Sequence, residues 1–230
     1  MKDSFYPRLG NTQYILGFSY LVAQQLVIPR VLLFCARQMG LHPTAIELNF
    51  VYFCVNFVFA VAVFHRFLWE DLRTFYKEFA ASMKYIALGF LLYWVATIFL
   101  SFYILRFFPA FSNANDSNIQ VMANDNYLLM FCGSVLLAPL VEETLYRGVV
   151  FGFVDRFNRV AAYCASTLLF TLIHVLPYIS QMSALETLAN MLQYLPAGIC
   201  LSWAYEKGHT IFVPIVIHTA VNLIGMAAMR

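Results

Sequence analysis

Long apolar runs separated by short polar breaks set the pattern of this chain. A helix needs roughly 20 apolar residues to cross the hydrocarbon core of a membrane. Seven stretches approach that length: Tyr14–Cys35, Ala45–Phe64, Tyr85–Phe108, Tyr127–Phe153, Val160–Leu176, Thr187–Tyr205 and Ile211–Met229. The first contains Gln24, Gln25 and Arg30 and is the least apolar. It exceeds the roughly 7–15 apolar residues of a signal peptide and reads as a retained helix. Between the second and third runs lies a charged stretch, Arg66 to Lys84. Its Phe67, Leu68, Leu72, Phe75, Tyr76 and Phe79 recur at helical spacing, which predicts an amphipathic helix on the membrane surface. Pro109–Asn126 is rich in Asn, Ser and Asp, has no Lys or Arg, and reads as a solvated loop. The expected fold class is all-α: a polytopic transmembrane helical bundle of about seven helices plus one amphipathic surface helix. Residues 1–126, with the surface helix at 66–84, form its N-terminal part, and 127–230 its helical core, within one membrane domain.

Composition supports this pattern. Of the 230 residues, 62% are hydrophobic and 11% charged, against about a quarter charged in a soluble domain. So few charges cannot cover a water-facing surface, so lipid is the expected partner of most of it. A net charge of +2 without a basic run excludes nucleic acid as a partner class. The five cysteines are scattered through apolar segments with no CxxC, which is neither a disulfide framework nor a zinc ribbon. Lys and Arg mark cytoplasmic loops. Arg66, Arg73, Lys77, Lys84, Arg156, Arg159 and Lys207, with Lys2 and Arg8, fall on one side of a seven-span arrangement. The N-terminus is therefore expected in the cytoplasm.

Against this background, ionisable residues inside the spans stand out. Each costs about 2.5–3.5 kcal/mol on insertion scales. The fourth run reads Pro139-Leu140-Val141-Glu142-Glu143-Thr144-Leu145-Tyr146-Arg147. Arg147 lies one helical turn after Glu143, on the same face, so the two can neutralise each other. Glu142 points about 100° away and needs partners from other helices. His174 in the fifth run, and His218 with Asn222 one turn apart in the seventh, lie within about two turns of its depth. A carboxylate and an imidazole can hold and deprotonate water. A second imidazole and a carboxamide can stabilise an oxyanion. The set therefore has the parts for peptide-bond hydrolysis. Zinc on Glu142, His174 and His218 is a chemical alternative; a metal-free site is preferred here. Purely structural fastening of helices, or a proton or ion pathway, are the readings to be set against catalysis.

At these residues the chain resembles the CPBP family, the CAAX-protease and bacteriocin-processing (Abi) proteins. That family carries EExxxR, FxxxH and HxxxN in order. Here they read Glu142-Glu143…Arg147, Phe170…His174 and His218…Asn222. The resemblance covers about Leu136 to Gly225, and the family varies most in the part before it. It implies an intramembrane endopeptidase in which Glu142 and His174 activate water, His218 and Asn222 hold the oxyanion, and Glu143 pairs with Arg147. The implied substrate is a membrane-associated peptide or lipopeptide. Eukaryotic relatives cleave prenylated C-terminal tripeptides, whereas bacterial ones are linked to bacteriocin immunity, peptide maturation or signalling partners. The short chain looks more like the bacterial group, which implies a bacterial cytoplasmic membrane. The alternative within the family is a non-catalytic adaptor for a membrane protein partner, such as a bacteriocin receptor or sensor kinase.

Overall fold

The computed structural model describes residues 9–230, and the N-terminal charges Lys2 and Arg8 lie outside them. Nine helices follow one another among the described residues, without strands. They are α1 (Asn11–Leu26), α2 (Ile28–Gln38), α3 (Ala45–Lys77), α4 (Phe79–Phe107), α5 (Ala114–Asp125), α6 (Tyr127–Val154), α7 (Arg159–Val175), α8 (Ala184–Gly208) and α9 (Phe212–Ala228). Four of them, α3, α4, α6 and α7, are long and apolar enough to cross a membrane, α7 together with the tight turns that extend it to Gln181. The α1–α2 pair would make a fifth as one broken span. The break is local chemistry: Pro29 fills the second position of α2, and the two axes diverge by 53°. The expected span at Thr187–Tyr205 lies inside α8, whose apolar stretch is diluted by Asn190, Gln193, Tyr194 and Pro196. The expected seventh span is the 17-residue α9.

The polar breaks are mostly helix caps. Thr44 and Glu47 form a reciprocal capping box at the start of α3, and Ser183 and Glu186 do the same for α8. Asn113, Asn126 and Asn158 accept backbone N–H bonds at the starts of α5, α6 and α7. The stretch expected to be a solvated loop therefore holds a 12-residue helix, α5.

The expected surface helix at 66–84 requires correction. Residues up to Lys77 continue α3 without interruption for 33 residues, and α4 begins at Phe79. Phe67, Leu68, Asp71 and Phe75 are buried, so this face packs on protein rather than on lipid headgroups. Asp71 explains why. Its Oδ2 accepts the backbone N–H of Ile211 at 2.6 Å, and Thr210 Oγ1 donates to its carbonyl at 2.9 Å. The charged end of α3 thus ties down the start of α9, the helix that carries His218.

α6 runs through the middle of the bundle. Its residues from Glu143 to Gly152 are all buried, against α1, α3, α7 and α8. Gly148 and Gly152, spaced for close helix approach, face Phe67 and the Tyr14 hydroxyl. The contact of α7 with α8 is tighter. A Cβ on Gly198 would lie 2.5 Å from Thr167 Cγ2 and 3.0 Å from Thr167 Cα, so only glycine fits without moving the backbone of α7. Gly198→Ala is expected to destabilise the protein by about 1–3 kcal/mol, the usual cost of overpacking. The thermal midpoint of purified protein reads this; an unchanged midpoint would contradict the packing described.

Candidate active site

The site is built at an irregular part of α6. Helical hydrogen bonding widens to an i→i+5 pattern over Cys132–Leu137 and again over Thr144–Phe151, with a normal turn, Ala138–Glu143, between them. Such wide turns occur often at functional sites. Here they flank the two adjacent glutamates. Pro139 has a part in the first. In the wide pattern Ala138 N–H bonds Gly133 O, so the next carbonyl, Ser134 O, faces Pro139, which has no N–H. Asn222 supplies the missing donor: its Nδ2 bonds Ser134 O at 2.8 Å. An amide in α9 therefore satisfies a carbonyl released by a proline in α6.

The three ionisable residues read as a chemical group come together. Glu142 Oε2 lies 3.8 Å from His174 Nε2 and 3.9 Å from His218 Nε2. Among the described residues no hydrogen bond reaches that oxygen. Both imidazoles are fixed through their other nitrogens. His174 Nδ1 lies 2.8 Å from Phe170 O, a carbonyl that can only accept, so Nδ1 carries the proton. In the neutral ring, Nε2 then turns its lone pair towards Glu142. This bond is the physical content of the FxxxH spacing. His218 Nδ1 lies 2.7 Å from Glu143 Oε1 and donates to it. Aromatic rings wall in His174: Phe170 at 4.6 Å between centroids, and Tyr194 stacked at 4.5 Å.

The expected Glu143–Arg147 pair is present at 2.9 Å, with both side chains fully buried. Arg147 Nη2 also donates to Ala197 O and Gly198 O at 3.3 and 3.2 Å, and the guanidinium lies 4.5 Å above the Phe170 ring. Glu143 Oε1 thus accepts from both Arg147 and His218. The division into a structural pair and a chemical group is incomplete, because Glu143 joins the two.

Glu142, His174, His218 and Asn222 line one cavity of about 720 Å³, which extends past Tyr93 and Trp94 of α4 and Tyr52 of α3 to the start of α5. The participation of α3, α4 and α5 in its walls has no motif that would have announced it. The alternative zinc set fits poorly. Donors on a tetrahedral zinc at about 2.0–2.1 Å lie about 3.4 Å apart, less than the 3.8 and 3.9 Å found. No group of three His, Cys, Asp or Glu among the described residues has metal-holding spacing.

A family model described as Type II CAAX prenyl endopeptidase Rce1-like matches residues 124–224, from the end of α5 into α9. The resemblance read from the three motifs is borne out over that segment. UPF0177 protein YxdF of Lactococcus lactis subsp. lactis (strain IL1403) is 28% identical over 95 residues, 41% of this chain and 47% of that protein. UPF0177 protein YbdI of the same strain is 26% identical over 126 residues, 52% of this chain and 61% of that protein. The chain therefore spans about half to three-fifths of the length of these curated relatives. No solved structure matches it.

Proposed function

We propose that this chain is an intramembrane endopeptidase that hydrolyses a peptide bond of a membrane-associated peptide or lipopeptide. One observation carries the reading: Glu142 Oε2, buried and without a hydrogen-bond partner among the described residues, faces two Nε2 atoms at 3.8 and 3.9 Å in the wall of the cavity. These gaps are too long for direct hydrogen bonds and suit a bridging water. A water oxygen about 2.8 Å from both Glu142 Oε2 and His174 Nε2 would see them at an angle of about 85°. Both are acceptors, so both water protons are engaged and a lone pair is left for the substrate carbonyl.

Glu142 takes one water proton as the oxygen bonds to the carbonyl carbon. The carbonyl π electrons move to oxygen and form the oxyanion. When His218 carries both ring protons, Nε2–H donates to that oxyanion while Nδ1–H stays on Glu143. The second amide hydrogen of Asn222, not used by Ser134, is the further donor on that wall. Collapse breaks the C–N bond, and the proton held by Glu142 passes to the leaving nitrogen. The products are a carboxylic acid, which keeps the second water proton until it yields it to the amine or to solvent, and an amine, with no net change in protons on the protein.

Comparative proteomics of membranes bearing wild type or Glu142→Gln tests the reading. Membrane peptides that accumulate uncut in the variant are expected. Identical peptide profiles, with the phenotype retained, would instead favour the adaptor reading. The donor spacing also supports a metal-free reaction. Cleavage is expected to survive exhaustive chelation within about twofold, and loss of activity restored specifically by zinc would overturn that part.

A further inference from the structure

The catalytic cavity carries a charge pattern that the proposed chemistry does not use. Among the described residues two carboxylates line it, Glu142 and Asp116, and no Lys or Arg does. Asp116 belongs to α5, whose N-cap Asn113 accepts its backbone N–H at 3.1 Å. Its carboxylate is open to the cavity, and no cation pairs with it among the described residues. An anion so placed, with no counter-charge, is complementary to a cation brought by a ligand.

Its neighbours suit the same ligand. Tyr93, Tyr178 and Tyr194 lie within electrostatic reach of Asp116 and line the same cavity. Phenol rings beside a carboxylate bind guanidinium or ammonium groups by their faces as well as by charge. Tyr194 also fixes the distance to the chemistry. Its ring stacks on His174, and its hydroxyl donates to Asn113 at 3.1 Å, next to Asp116. One tyrosine therefore separates the two carboxylates' surroundings.

We infer that Asp116 and the surrounding tyrosines form a subsite for a basic side chain, Arg or Lys, of the bound peptide, a few residues from the scissile bond. The inference rests on the peptidase reading for the position of that bond. The subsite disfavours acidic side chains and a free C-terminal carboxylate, because Asp116 repels both.

The test uses the Glu142→Ala protein in phosphatidylcholine nanodiscs. The probes are fluorescent eight-residue peptides of alanine and leucine with one arginine moved along the series, and matched peptides with citrulline or glutamate in its place. In at least one register the arginine peptide is expected to bind at least tenfold tighter than its citrulline twin. Adding Asp116→Asn should bring the two within about twofold, and Asp116→Lys should favour glutamate. Equal affinity of arginine and citrulline peptides in every register would overturn the subsite, and that comparison needs no change at Asp116. Cleavage of the same peptides by the wild type separates the two ideas. Arginine-dependent binding without cleavage would sink the peptidase reading and leave the subsite standing. Cleavage without arginine preference would do the reverse.

Discussion

Glu142→Ala is expected to lower kcat/KM by about 10²–10⁴-fold, the range for loss of a general base, with little change in stability. The two halves of this expectation have separate grounds. Catalytically, Glu142 is the one carboxylate among the described residues that faces both Nε2 atoms, and Glu143 cannot replace it, being already engaged by Arg147 and His218. Structurally, Glu142 is 20% exposed at a cavity wall, and nothing bonds its Oε2. Its removal enlarges an open space rather than a packed core, so the usual cavity penalty does not apply. A change within about 1 kcal/mol follows. Glu142→Gln sharpens the test, because it keeps the shape and removes the base. The measurement is turnover of a defined membrane peptide by protein reconstituted in lipid, beside the thermal midpoint of the same samples. Retention of more than a tenth of wild-type turnover by either variant would exclude Glu142 as the base. A large drop in midpoint would show that the carboxylate holds the fold instead.

Parts of this site were legible in the sequence because they depend on helical spacing alone. Glu143 and Arg147, one turn apart, meet as expected. Phe170 and His174, also one turn apart, gain their meaning from the backbone carbonyl that fixes the ring. The depths of Glu142, His174 and His218 in three apolar runs allowed them to meet, but nothing in the runs made their helices neighbours. Other features depend on geometry that periodicity does not encode. The Asn222–Ser134 bond requires a wide turn before Pro139, and a regular helix would have placed that carbonyl elsewhere. The His218–Glu143 bond is a contact between distant helices and leaves no trace in local spacing. The stretch 66–84 misled for a physical reason. Its apolar stripe is real, but Asp71 and Thr210 turn that stripe towards α9 instead of lipid. The 109–126 stretch misled because Asn113, Ala114 and Asn115 read as loop residues until a helix cap gives them a role.

Arg147→Ala is expected to have the largest effect on folding. The guanidinium is fully buried and meets Glu143, two carbonyls of α8 and the face of Phe170 at once. Truncation leaves the Glu143 carboxylate buried with only His218, and leaves Ala197 O and Gly198 O without this donor. Breaking a buried pair from one side costs about 3–5 kcal/mol. For a chain of this size that lowers the thermal midpoint by roughly 10 °C. Arg147→Lys should recover only part of this, since one ammonium lacks the fork that reaches α6 and α8 together. The decisive variant is the double replacement, Glu143→Ala with Arg147→Ala. If the penalty is an uncompensated charge, the double variant should be less destabilised than the sum of the two single ones. It should nevertheless stay inactive, because His218 then loses the carboxylate that holds its Nδ1. Strict additivity of the two penalties would show that Glu143 and Arg147 act separately. Activity in the double variant would show that the orientation of His218 does not depend on Glu143.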